Sequence, residues 1–268
     1  MRVLSELEPK NVFSFFEDIC NIPHPSYKEE KISNYLVDFA KERKLEYYQD
    51  SLNNVIIIKE ASKGYEDAAP IILQGHMDMV AVQEADCKKD MEKEGLDLEI
   101  NGDFISAKGT SLGGDDGIAV AYTLAVLDDE EMAHPPVEAI FTVNEEIGML
   151  GAATIDVSDL KGRLFMNMDS EDEGVFTVSC AGGASVICKI PYKRDLVNAP
   201  VIEIKLDDFT GGHSGVEIIK GRVNANCAMA RVLLNVFQNV GMRLVSVNGG
   251  EKDNAIAKIS EAAIVVLP

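Results

Sequence analysis

Gly75-His76-Met77-Asp78 closes an apolar run, and three acidic clusters follow it: Asp115–Asp116 between glycines, Glu145–Glu146 after Asn144, and Asp169 in Met-Asp-Ser. One imidazole among several carboxylates is the donor chemistry of a centre that holds two divalent ions and activates water. Such a centre calls for a second histidine, and none follows His213. Each cluster also has a plain structural reading. His76 can end a strand with Asp78 as a turn residue. One of the Asp115–Asp116 pair can cap a helix, whose N-terminus welcomes negative charge. Adjacent glutamates in a turn are often simply solvated.

The chemical readings are more specific. Two residues apart on an extended segment, His76 and Asp78 share a face, so Asp78 can hold the second ring nitrogen and fix the tautomer. A cap needs one carboxylate, yet two are present behind Gly113-Gly114, a pair that points to unusual backbone. A carboxylate held there could bridge two ions. Glu145 and Glu146 point different ways, so one can bind metal while the other takes a proton from water. Asp169 follows its strand directly, with Glu171, Asp172 and Glu173 behind it as a solvated turn. His213 lies in a small-residue loop, either as a turn histidine or as a group that reaches across an interdomain cleft to an oxyanion. His24 and His134, beside prolines, read as structural.

Position in the chain links these groups. Helical spacing runs from Asn11 to Lys44, with Val12, Phe15, Phe16 and Ile19 on one face, a Pro23–Pro25 break, then Ile32, Leu36 and Phe39. Strands are expected at Val55–Ile58, Ile71–Gln74 (buried on both faces), Ala139–Val143 and Leu164–Met168, and a buried helix at Ile118–Leu127. Alternating strands and helices predict α/β architecture with a largely parallel sheet. Ligands in such sheets gather beyond the carboxyl ends of the strands, where His76, Glu145–Glu146 and Asp169 all fall. The character changes after Gly182-Gly183, placing a domain boundary near residues 181–186. Beyond it come a half-exposed strand at Val201–Leu206, an amphipathic helix at Asn224–Phe237 and strands at Leu244–Val247 and Ala263–Pro268.

Composition narrows the function classes. The 268 residues carry 25 basic and 45 acidic side chains, a formal charge of −20. That argues against nucleic acid as a partner. No apolar stretch has the length of a membrane span and no secretion signal is evident. The five cysteines are odd in number and contain no Cys-x-x-Cys pair, which fits a reducing, cytoplasmic setting. Cys180 and Cys188 flank an expected strand and read as packing residues.

Taken together, residues 72–80 (ILQGHMDMV), 109–119 (GTSLGGDDGIA), 141–149 (FTVNEEIGM), 211–215 (GGHSG) and 247–256 (VNGGEKDNAI) carry a resemblance. The chain resembles the cytosolic aminoacyl-histidine (Xaa-His) dipeptidases, among the co-catalytic zinc exopeptidases. The resemblance implies a mostly parallel-sheet zinc-peptidase catalytic domain over 1–184 and the start of an α+β lid domain over 185–268. It implies two zinc ions per active site: His76 and Asp169 on one, Glu146 on the other, Asp115 bridging. Asp78 would orient His76, Glu145 would be the general base, His213 would bind the oxyanion, and the Asp115–Asp116 peptide would be cis. The substrate would be a small peptide, typically an Xaa-His dipeptide, and the lid would carry a homodimer contact. Family members are longer and bring a further zinc-binding histidine late in the chain, so a truncated polypeptide with an incomplete second site is expected. The alternatives are a related tripeptidase or amide deacylase, or an inactive truncated zinc-binding protein.

Overall fold

The computed structural model describes residues 2–170, 174–179, 186–213, 217–250 and 255–266. The chain divides into two compact units, Met1–Ser179 and Cys180–Pro268. Of the expected boundary near 181–186, residues 181–185, with Gly182-Gly183, lie outside the described residues.

In chain order the first unit carries α1 (Lys10–Cys20), α2 (Glu30–Glu42), β1 (Glu46–Gln49), β2 (Val55–Lys59) and β3 (Ile71–His76). A hairpin of β4 (Leu98–Asn101) and β5 (Phe104–Ala107) precedes α3 (Gly114–Asp128), β6 (Val137–Thr142) and β7 (Leu164–Asn167). One sheet has the order β1-β2-β6-β3-β7. β3 runs parallel to β6 and to β7, while β2 is antiparallel to both of its neighbours. Four of the five strands therefore point one way, as a largely parallel sheet requires.

Side-chain alternation assigns the two faces. Val55, Ile57, Leu73, Ala139 and Phe141 join Phe16, Ile19, Ile32, Leu36 and Leu124 of the helices in the main core. Ile56, Ile72 and Ile140 face the other way, onto Leu160. β3 is thus buried on both faces, which is why its sequence is a continuous apolar run. The helices form for the reason their spacing gives: α1 turns Val12, Phe15, Phe16 and Ile19 inward.

Two glycines bring the strand and helix that carry the acidic groups close together. A Cβ on Gly75 would lie 2.8 Å from the Asp116 carboxylate and 2.9 Å from the Ala119 methyl, so only glycine lets α3 settle on β3. Gly113 precedes α3 with φ 68°, a left-handed conformation that suits glycine, and a Cβ there would meet Met79. β7 is the outermost strand, and its Leu164, Phe165 and Met166 are exposed.

The second unit carries β8 (Val201–Leu206), β9 (Gly212–His213), a 3-10 turn at Ile218–Lys220, α4 (Ala225–Asn239), β10 (Met242–Gly249), β11 (Ala255–Ile256) and β12 (Ser260–Val266). β10, β12 and β8 form an antiparallel sheet in that order, and β9 pairs with β11. Asn224 caps α4, its side chain accepting from the amides of Asn226 and Cys227. Met229 and Leu233 of α4 pack on Met242, Ala262 and Ile264.

Of the strand expected between Cys180 and Cys188, residues 181–185 lie outside the described residues; Val186 and Ile187 form no strand, and Cys188 is exposed rather than packed. Cys180 lies outside the described residues. Among the described residues no helix is long and apolar enough to cross a membrane.

Candidate metal centre

Three parallel strands deliver their groups to one place. His76 is the last residue of β3, opposite Thr142 of β6, and the chain passes from Thr142 through Val143 and Asn144 to Glu145 and Glu146. β7 ends at Asn167, and the Met168 amide donates to the Gln74 carbonyl at 3.2 Å, bringing Asp169 alongside. α3 opens beside them with Asp115 and Asp116 in its first turn. Both have non-helical backbone, so the chain kinks there before the regular helix, and Gly113 ahead of them makes no side-chain capping bond. The Asp115–Asp116 peptide is cis.

The imidazole of His76 is buried. Its Nδ1 lies 3.0 Å from the Asp78 carbonyl oxygen and 3.4 Å from the Asp78 carboxylate. Its Nε2 faces Asp115 Oδ1 at 3.0 Å and Asp169 Oδ2 at 4.0 Å. The orienting contact of Asp78 is thus made by its backbone carbonyl as well as its side chain. Two donor groups result, His76–Asp115–Glu146 and His76–Glu145–Asp169, each with ligand atoms within 4.8 Å of one another. Both use His76.

The electrostatics are those of acids crowded round one base. Burial opposes a charge on His76, but the Asp78, Asp116 and Asp115 carboxylates outweigh it and lift its pKa to about 10. Burial, with Asp169 and Asp115 nearby, raises Asp116 to about 7 against the pull of His76. Burial and the surrounding carboxylates also raise Glu145 and Glu146, despite His76. Burial alone would raise Asp78; bonds from His76, the Glu145 amide and the Ser26 hydroxyl hold it low instead. A divalent cation among these oxygens would relieve the repulsion, and the imidazole-plus-carboxylate set suits zinc.

Asp116 is the participant that sequence reasoning passed over. Its Oδ2 accepts the His76 amide at 3.1 Å, tying α3 to the end of β3, and it is buried. The doubled aspartate was its signal, since a bridging ligand uses only one of the pair. His24 and His134 are both buried, with Nδ1 on the carbonyls of Ile22 and Pro135, in keeping with structural roles. His213 belongs to the second unit, on β9 opposite Ala255, its amide donating to Glu217 at 3.0 Å. Glu217 also binds Arg222 and Lys220.

No protein-family model matches the chain. A cytosol non-specific dipeptidase from Escherichia coli is 39% identical over 99% of this chain and 55% of its own length. The likeness is to a dipeptidase. The crystal structure of an aminoacylhistidine dipeptidase from Vibrio alginolyticus matches with a TM-score of 0.74 and 37% identity, over 98% of this chain and 54% of that one. An aminopeptidase from Bacillus cereus, 18% identical, matches over 96% of this chain and 67% of its own with a TM-score of 0.53, a likeness of fold. The chain therefore spans about half the length of the two dipeptidases it matches.

Proposed function

We propose that this chain serves a metallodipeptidase that hydrolyses short peptides, Xaa-His dipeptides foremost, with two zinc ions, in the cytoplasm. The supporting observation is that His76, Asp115, Glu145, Glu146 and Asp169 meet beyond the ends of three parallel strands. In this reading His76 and Asp169 would hold one ion, Glu146 would hold the other, and Asp115 would serve both. Zinc, when bound there, lowers the pKa of water and polarises a carbonyl. Glu145 would take the proton of the attacking water and return it to the departing amine. Asp78 keeps Nδ1 of His76 engaged so that Nε2 faces the metal. His213 stabilises the oxyanion, residues 1–184 form the catalytic domain, and residues 185–268 form a lid that carries a homodimer contact. The cytosolic setting rests on the name of the Escherichia coli relative.

The one imidazole would complete only one ion's ligand set, so the ions are expected to load unequally, the one at His76 and Asp169 tightly and the other weakly. Purified chain supplied with zinc should cleave Xaa-His dipeptides in preference to tripeptides and N-acyl amino acids. A chain that takes up no divalent ion would sink this reading. Preference for tripeptides or N-acyl amino acids would move the specificity, and zinc binding without turnover would leave a binding protein.

Uptake should also be coupled to protons. His76, lifted to about 10, is charged at neutral pH, and zinc must displace its Nε2 proton. The stability that this charge gives the metal-free fold is fully present below about 6.5, the ordinary histidine value. It is lost as pH rises through the folded value. Between pH 6 and 8 the apparent zinc affinity should therefore rise about tenfold per unit for each proton released. Calorimetry in buffers of different ionisation enthalpy counts those protons; an uptake heat independent of buffer contradicts the expectation.

A further inference from the structure

The segment His24–Glu29 lies against the turn that carries Glu145 and Glu146. Pro25 bridges Met79 just past β3, and the Ser26 amide donates to the Met79 carbonyl at 3.3 Å. The Ser26 hydroxyl donates to Asp78 Oδ2 at 2.8 Å. The same carboxylate accepts the backbone amides of Glu145, at 3.0 Å on Oδ1, and Glu146, at 3.4 Å on Oδ2. Asp78 therefore ties His76 to the backbone of both glutamates, and Ser26 fixes how Asp78 is turned.

A second set of bonds holds the other end of that turn. Glu29 is buried, and its Oε1 accepts the amides of Tyr27 at 3.1 Å and Asn144 at 3.2 Å. The Asn144 side chain accepts the Tyr27 amide at 2.8 Å. Tyr27 and Asn144 both have left-handed backbone, with φ 69° and 55°, so each needs its neighbours to keep it there. Glu29 occupies the N-cap position of α2, but its side chain makes no cap bond. Its carboxylate is spent on the Asn144 turn instead of the helix.

We propose that Ser26 and Glu29 are positioning residues, which clasp the Asn144–Glu146 turn so that its two carboxylates meet the His76 side of the centre. The inference rests on the metallopeptidase reading for its purpose, though the clasp itself is made of hydrogen bonds within the first unit. Partners of this kind typically carry about ten- to a hundredfold in metal affinity.

The test compares Glu29→Ala, Glu29→Gln and Ser26→Ala in the full chain by amide hydrogen exchange over residues 143–149 and by zinc affinity against a competing chelator. Glu29→Ala should speed exchange across the turn at least tenfold and weaken zinc about tenfold. Glu29→Gln keeps the accepting oxygen and should restore both. Ser26→Ala, a mild change expected to fold, should weaken zinc severalfold even where Glu29→Ala does not fold. Unchanged exchange and affinity in all three variants overturns the clasp. Faster exchange with unchanged zinc affinity reduces Glu29 to a structural residue and overturns its positioning role. If the unsubstituted chain binds no divalent ion, the metallopeptidase reading fails and the positioning role with it, and the exchange result shows separately whether the clasp exists.

Discussion

His76→Ala is expected to cut bound zinc to about half or less of the unsubstituted content, by taking the sole imidazole from the ion it would share with Asp169, whereas loss of Glu146 should spare that ion. The difference follows from geometry. Asp169 stands beside His76 in one donor group and Glu146 in the other, and the Nε2 of one imidazole serves one ion, so loss of Glu146 spares the ion that His76 and Asp169 would share. The imidazole is also the softer ligand among hard oxygens, the one that favours zinc over magnesium or calcium. Metal analysis of the purified variant, with circular dichroism to show that it folds, decides the matter. Retention of near-normal zinc would mean that the ion sits elsewhere and that the cluster is merely acidic surface.

Glu145→Gln should lower peptide hydrolysis by about 10²- to 10⁴-fold, the usual worth of a general base, with KM and zinc content little changed. Glutamine keeps the volume and an accepting oxygen but cannot take a proton at neutral pH. Glu146→Gln should act the other way round, weakening zinc first and activity as a consequence. The pair of variants separates the roles of two adjacent residues that share a raised pKa and a crowded setting. If Glu145→Gln also empties the centre, then Glu145 is a ligand, as its grouping with His76 and Asp169 allows, and the base must be sought elsewhere.

Much of this centre is legible in the order of residues because strand ends are. An apolar run such as Ile71–Leu73 can only be a buried strand or a short piece of helix, and the polar group that stops it must emerge at the edge of the sheet. His76, Glu145 and Asp169 are visible for that reason. Asp116 shows only as the second of a doubled aspartate; its bond to the amide of His76, forty positions earlier, is a contact that no local pattern encodes. Ser26 and Glu29 are hidden for the same reason, and Glu29 additionally imitates an ordinary helix start. Among the elements, α1 and α2 follow from periodicity, and α3, β3 and β6 from continuous apolar runs. β1, with Glu46, Tyr47, Tyr48 and Gln49, is a polar edge strand recognisable only through its partner Val55–Ile58. The β4–β5 hairpin announces itself solely by Asn101-Gly102 at its turn, since four-residue strands are too short for alternation to register.

The outer edge of β7 is open among the described residues. No described strand pairs with that edge, and Leu164, Phe165 and Met166 stand exposed along it, an arrangement that invites another sheet to add on. The formal charge of −20 works against such stacking by keeping copies apart at long range. That protection reaches only about 10 Å at 0.1 M salt and shrinks as salt is added. Added salt is therefore expected to favour association at this edge, an outcome that light scattering at low and high ionic strength would check.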